Sequence, residues 1–243
     1  MSENTKILGV IGGLGPIATA HFMELCINMT DAEYDQQHLP MIVYNMPGIA
    51  DRTAYILDNT KENPLPKMLE IGKALAQQGA ACVAIPCMTA HYFFPELESE
   101  IPAPVLNGVR ETVAHLKENG ITKVGIMATD GTIRAGIFHR ELARQGLQSI
   151  VPEENAQADV MHLIFNNVKA GKSAEMERFY AAAEDLRRQG AEAIILGCTE
   201  LSLIKRDREI GPGFVDAMEV LAREALRACG RPVKEEYTCL ITG

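Results

Sequence analysis

An α/β fold of two pseudo-symmetric domains, each a parallel-type sheet flanked by helices, is what this chain predicts, and three observations carry it. Short, near-continuous apolar runs alternate with helical spacing through this 243-residue chain, up to about residue 228. Such runs suit parallel strands covered by helices on both faces. The run Leu8-Gly9-Val10-Ile11-Gly12 has a counterpart in Val124-Gly125-Ile126-Met127-Ala128, so each half opens on a similar strand. Later in each half, Gln78-Gly79-Ala80 and Gln189-Gly190-Ala191 close a helix-like stretch, precede an apolar run, and lead to a Cys eight residues after the Gly: Cys87 and Cys198.

The elements follow in order. Residues 7–11, 41–44, 82–85 and 105–106 read as buried strands of the first half, and 124–127, 149–151 and 193–196 as those of the second. Apolar residues three and four apart predict the helices: Met68, Ile71 and Leu75; Ile133, Ile137 and Leu142; Val160, Leu163, Ile164 and Val168; Met176, Phe179, Ala183 and Leu186. Gly120, Gly146, Gly171 and Gly190 stand where helix C-caps are expected. The division predicted is residues 1–112 plus 213–243 for one domain and 113–212 for the other, with a last helix at 216–228 packing back on the first.

Composition excludes several classes. Hydrophobic residues make up 47% of the chain, enough for a core. The net charge of −9 and the lack of a basic run argue against nucleic acid as a partner. No apolar run approaches the ~20 residues of a membrane span. The first six residues lack a signal-peptide pattern. Six cysteines at irregular spacing, with no C-x-x-C pair, then point to free thiols in a reducing cytoplasm rather than to disulfides or a structural zinc.

Ligands of parallel sheets bind beyond the carboxyl ends of strands. Cys87 and Cys198 both stand there, each before a helix whose dipole is expected to lower the thiol pKa. Two thiols delivered by one repeated unit can face a small substrate from opposite sides. Cys26, Cys82 and Cys229 fall on apolar faces and read as core; Cys239 lies in the tail, unassigned. Gly12-Gly13-Leu14-Gly15-Pro16-Ile17-Ala18 fits the dinucleotide fingerprint formally, but no acidic residue follows the next strand. The turn around Gly13 reads instead as a backbone cradle for a small anion such as a carboxylate. Arg52, on a loop beyond the second strand, suits bidentate carboxylate binding, against the default of a solvated side chain. Lys169 at a helix end has dipole pairing as its plain role. Thr89, Thr199 and Glu200 are capping residues by default, and the two threonine hydroxyls can also hold a carboxylate. His91, one helical turn after Cys87, can support a thiolate or bond locally. Asp216 is an N-cap or an amine ligand.

The segments Gly12–Thr19, Pro86-Cys87-Met88-Thr89-Ala90-His91 and Leu196-Gly197-Cys198-Thr199-Glu200-Leu201, with Asp51-Arg52-Thr53-Ala54-Tyr55 and Val168-Lys169-Ala170-Gly171, together resemble the aspartate/glutamate racemase superfamily, up to about residue 228. The resemblance implies an active site between the two domains and Cys87 and Cys198 as alternating proton acceptor and donor, with Cys198 acting on the L isomer and Cys87 on the D isomer. It implies no pyridoxal phosphate, no metal, a small anionic amino-acid substrate and a homodimer. Arg52 and Lys169 match positions linked to the substrate side-chain carboxylate and to catalytic-site electrostatics, and Gly13, Met88, Thr89, Thr199 and Glu200 join them as substrate-binding candidates. Met88 and Met46 stand where the family commonly has Asn, which opens the specificity. A hydantoin racemase or maleate isomerase type of enzyme and a non-enzymatic two-lobed binding protein are the alternatives; an NAD-dependent oxidoreductase ranks last.

Overall fold

The computed structural model describes residues 6–243; residues 1–5, part of the stretch read above for an export signal, lie outside them. The chain runs β1 (Ile7–Gly12), α1 (Pro16–Met29), β2 (Met41–Asn45), α2 (Arg52–Leu57), α3 (Leu65–Gln77) and β3 (Ala80–Ala84), then a 3₁₀ turn (Met88–Phe93), α4 (Phe94–Glu100) and α5 (Gly108–Glu118). The second half runs β4 (Lys123–Met127), α6 (Asp130–Arg134), α7 (Ile137–Gln145), β5 (Gln148–Ile150), α8 (Glu154–Met161), α9 (Met176–Arg188), β6 (Ala193–Leu196), α10 (Thr199–Asp207), β7 (Phe214–Asp216) and α11 (Ala217–Ala228).

Two sheets form, ordered β2-β1-β3 and β5-β4-β6-β7, and every strand pair is parallel. The repeat extends to a fourth position in the first sheet. The expected strand at 105–106 is a single parallel bridge between Val83 and Val105, with the Val83 N–H donating to Pro104 O and the Leu106 N–H to Val83 O, both at 2.8 Å. Strand alternation sorts the side chains into layers. Leu8, Val10, Cys82 and Ala84 of the first sheet and Val124, Ile126, Ala193 and Ile195 of the second share one apolar core with α1, α5, α7 and α11. Val83, Ile85 and Cys87 face a second core with α3 and α4. Ile194, Leu196 and Cys198 face a third, with α8, α9 and α10. Each sheet is therefore covered on both faces, as near-continuous apolar strands require.

The predicted C-cap glycines all adopt the left-handed region, with φ of 76° at Gly120, 79° at Gly146, 70° at Gly171 and 98° at Gly190. Three features depart from periodicity. The helix expected across Ile133, Ile137 and Leu142 is broken into α6 and α7 by Gly136, whose φ is 62°. The helix expected through Val168 leaves α geometry after Met161 and becomes a π-helical turn, His162–Val168, in which the Lys169 N–H donates to Ile164 O, five residues back, at 3.0 Å. Residues 213–243, grouped with the first half on sequence, divide between the halves. β7 completes the edge of the second sheet beside β6, while α11 packs against α1 and α5. The tail returns to the same edge, with Gly213 N–H donating to Thr242 O and Thr242 N–H to Phe214 O, each at 2.8 Å. No helix among the described residues is long and apolar enough to cross a membrane.

Candidate active site

Both repeats end their third strand in the same way. After β3 the chain extends to Cys87, which precedes the 3₁₀ turn; after β6 it extends to Cys198, which precedes α10. The two residues hold similar extended dihedrals, φ −157° and ψ 104° for Cys87, φ −137° and ψ 138° for Cys198. Both are buried, and they line one cavity between the halves together with Leu14, Asp51, Arg52, Thr53, Met88, Thr89, Thr129, Lys169, Thr199 and Glu200. At the cysteines this space is only about 10 Å³, room for no more than about one water molecule. Outward it meets a cavity of about 370 Å³ lined by Gly13, Leu14, Gly15, Ile17, Pro47 and Lys169 among others.

The surroundings of Cys198 are specific. Its thiol donates to Glu200 Oε2 at 2.8 Å, and Thr199 Oγ1 donates to the same oxygen at 3.2 Å. Lys169 Nζ lies 4.0 Å from Glu200 Oε1 and 4.0 Å from Asp51 Oδ2 of the other half, and 4.3 Å from the centre of the Phe165 ring. The π-helical turn delivers this lysine, because widening the helix there moves the following residue relative to a straight α-helical path. The helix dipole was expected to lower both thiols. For Cys198 the opposite holds: burial and then the Glu200 carboxylate push the thiol well above its usual range, with Lys169 pulling against them.

His91 secures the other cysteine. A carbonyl can only accept and an amide N–H can only donate, so the His91 Nδ1–H donates to Cys87 O at 3.1 Å and its Nε2 accepts from the Gly108 N–H at 3.0 Å. Both contacts use the neutral ring, and burial holds its pKa down at about 4. The equivalent position after Cys198 is Ser202, whose hydroxyl donates to Asp216 Oδ1 at 2.6 Å. Asp216 is thus the N-cap of α11, also accepting from the Met218 N–H at 2.9 Å, and does not line the cavity.

The other predicted residues divide. Thr89 joins a buried cluster of hydroxyls that crosses between the halves, 3.3 Å from Thr129 and 3.0 Å from Thr132; Thr53 Oγ1 donates to Thr129 Oγ1 at 3.3 Å. Thr129 was not foreseen. Its position just beyond β4 is the carboxyl-end signal that could have singled it out. Gly13, at φ 90°, lies so close to Met46 that a Cβ there would sit 2.4 Å from backbone atoms, and its N–H donates to Thr19 Oγ1 at 2.9 Å. It lines only the outer cavity, and its amide is engaged within the protein rather than open to an anion. Arg52 is buried with its guanidinium turned to the backbone: Nη1 donates to Ala50 O at 2.9 Å and Ile49 O at 3.3 Å, and Nη2 to Leu14 O at 3.0 Å. Its Nε is buried without a partner. Met88 lines the cavity, but its thioether lies over Gly108, where a Cβ would be 3.1 Å from the methyl and 3.2 Å from the sulfur. Met46 is partly exposed. Among the described residues, no group of three or more His, Cys, Asp or Glu is placed to hold a metal ion.

Comparison with known proteins identifies the family and the fold. Residues 11–225 match the Asp/Glu/Hydantoin racemase family. The aspartate racemase of Picrophilus torridus superposes with a TM-score of 0.83 at 31% identity, over 97% of this chain and 99% of that one. An aspartate racemase homologue from Pyrococcus horikoshii shares the fold, with a TM-score of 0.74 at 23% identity over 93% of this chain and 99% of its own. The broad specificity amino-acid racemase RacX of Bacillus subtilis is 24% identical over 226 residues, 90% of this chain and 96% of that protein.

Proposed function

The chain belongs to the Asp/Glu/Hydantoin racemase family, and on that premise we propose that it interconverts L- and D-aspartate without a cofactor, Cys87 and Cys198 exchanging the α-proton on opposite faces of the α-carbon. The observation that carries this reading is that two cysteines, at equivalent places of a structural repeat, line one cavity between the halves. Aspartate is preferred because Lys169 supplies a cation at the cavity, 4.0 Å from either carboxylate neighbour and so beyond firm hydrogen bonding to them. A substrate side-chain carboxylate can take the place of Asp51. Glutamate is the second substrate to assay.

The chemistry follows from the neighbours of each sulfur. An amino-acid α-hydrogen is much less acidic than a thiol, so the carbanion needs hydrogen-bond donors at its α-carboxylate. Thr89, Thr129 and Thr199 line the same cavity, and their hydroxyls serve in that role by turning from their present protein partners when substrate binds. In the direction begun by Cys87, its thiolate takes the α-proton, forming S–H as C–H breaks. The Cys198 thiol, kept protonated by burial and Glu200, releases its proton to the opposite face of the carbon. The reverse reaction exchanges the roles. Arg52 acts by fixing the loops at Leu14, Ile49 and Ala50 that wall the site. The space between the sulfurs is too small for an amino acid, so the halves part to admit substrate and close again around it, excluding water. Cytoplasmic location and a homodimeric state complete the proposal.

L-Aspartate incubated with the protein in deuterated water tests it. Deuterium is expected at the α-carbon of both isomers, and Cys87→Ser and Cys198→Ser should each abolish racemisation. Absence of α-deuterium in aspartate and glutamate would overturn the assignment. A covalent cysteine adduct formed with maleate would redirect it to an isomerase using a cysteine nucleophile.

A further inference from the structure

Four cysteines, Cys26, Cys82, Cys229 and Cys239, take no part in this chemistry, and two of them touch. Cys82 Sγ lies 3.6 Å from Cys229 Sγ, although 147 residues separate them in sequence. Cys82 is in β3, five residues before Cys87 and directed into the shared core; Cys229 is the C-cap residue of α11. We propose that Cys82 and Cys229 form an oxidisable dithiol, a modification site that a small-molecule disulfide converts into an internal disulfide fastening the end of α11 to β3.

The geometry needs little change. A disulfide holds its sulfurs at about 2.05 Å, so closure brings these two roughly 1.5 Å nearer from 3.6 Å. Both thiols are buried; Cys229 ends a helix and precedes Gly230, at φ 70°, so transient opening of this helix end is the route by which the oxidant reaches it. The environment distinguishes attacking from resolving thiol. The Cys229 thiol is drawn below its usual range by the hydrogen bond from Cys82 and by the nearby charges of Lys6 and Arg231. Cys82 is pushed up as that donor and by burial. The third thiol, Cys26, is pushed up to about 12, mainly by burial, and stays protonated. Cys229, at the end of α11 beside Gly230, is the thiol placed to meet the oxidant first and is taken as the nucleophile.

The exchange balances without a metal or cofactor. The Cys229 thiolate attacks one sulfur of the disulfide RSSR, forming a mixed disulfide and releasing RS⁻. Cys82 then loses its proton and attacks the Cys229 sulfur, releasing the second RS⁻. Two protein thiols are oxidised and one RSSR is reduced to two RSH. Both catalytic cysteines stay outside the exchange.

The full chain is incubated with oxidised glutathione, alkylated, unfolded, and its remaining thiols counted. The expected result is a fall from six thiols to four, and a tryptic cross-link joining the peptides that carry Cys82 and Cys229. Dithiothreitol should restore all six. Repetition in a Cys87→Ser/Cys198→Ser background, expected to give the same cross-link, separates it from reaction at the catalytic pair. Cys229→Ser should keep racemisation under reducing conditions and form no cross-link; Cys82→Ala serves if that variant fails to fold. Six thiols surviving, a link between other cysteines, or a mixed disulfide that stops on Cys229 would each overturn the proposal.

Discussion

His91 is the perturbation whose effect can be worked through from the structure. Its ring joins Cys87 O to the Gly108 N–H at 3.1 and 3.0 Å. Protonation at Nε2 would set one N–H against another, so the folded protein resists it, and burial keeps the pKa down at about 4 against 6.5 for the free side chain. Below pH 6.5 the unfolded chain therefore binds a proton that the folded chain does not, and stability falls as pH falls. The contribution is fully present at neutral pH and is lost progressively down to pH ~4. Between pH 7 and pH 5 the two titration curves differ by about 2 kcal/mol. In His91→Gln an amide supplies one donor and one acceptor without titrating. Urea unfolding followed by circular dichroism at pH 7, 6 and 5 gives the comparison. Wild type should lose about 2 kcal/mol more than His91→Gln over that range. His115, also held at about 4, and Glu219, raised to about 7 and opposite in sign, are common to both proteins and cancel. Parallel pH dependences in the two proteins would refute the neutral-tether reading of His91.

Three further outcomes are expected at the site. Glu200→Gln removes a carboxylate that pushes the Cys198 thiol up, so the pH profile of Cys198 alkylation in a Cys87→Ser background should shift to lower pH; an unchanged profile would discount Glu200 as the cause. Lys169→Met should raise KM for aspartate by about 10- to 100-fold, the range set by ~1.5–3 kcal/mol for a charge-assisted contact, and steady-state kinetics that leave KM unchanged would remove Lys169 from carboxylate binding. Met88→Asn empties the space over Gly108 rather than adding a group in the cavity. It should cost roughly 2–4 kcal/mol in urea unfolding, as large-to-small core changes do, without lowering KM for aspartate; a tighter KM would mean that residue 88 faces the substrate.

The parts of this molecule legible in the sequence are those where local pattern and tertiary demand coincide. β1, β3, β4 and β6 lie between helical layers, so their apolar runs announce them. The two cysteines were legible because a duplication marks them twice. β7 has three residues, too few for any period, and its pairing with β6 and with the tail at Ile241 and Thr242 makes it a strand. The π-helical turn escaped because spacings of three, four and five residues overlap across so short a stretch. Met88 stands next to Cys87 in sequence, but the direction of its side chain depends on Gly108, whose missing Cβ leaves room for the thioether. Arg52, just after β2, lines the cavity, while its use of three backbone carbonyls depends on how the loops at Leu14 and Ile49 fold over it. Thr129 stands just beyond the carboxyl end of β4, a signal the sequence does hold, whereas the Cys82–Cys229 pair arises from a contact between distant segments, for which a single sequence holds no spacing to read.

The repeat sets the two cysteines in similar backbone and gives each a tether one helical turn later, His91 to Gly108 and Ser202 to Asp216. The tethers differ in chemistry, and so do the sulfurs' neighbours. Cys198 has Glu200 at 2.8 Å and Lys169 beyond it; the residue two after Cys87 is Thr89, bonded instead into the hydroxyl cluster. That combination suits proton exchange between mirror-image substrates. Equal reach to both faces of a carbon requires near-symmetric placement of the sulfurs, which duplication supplies. Starting the reaction requires unequal protonation, since two thiols cannot abstract a proton and two thiolates cannot return one. Divergence of the residues around a conserved backbone answers the second requirement without disturbing the first. At Cys198 the Glu200 carboxylate raises the thiol and Lys169 opposes that rise, so the one sulfur has both a group that keeps it protonated and a cation to offset the charge when it ionises.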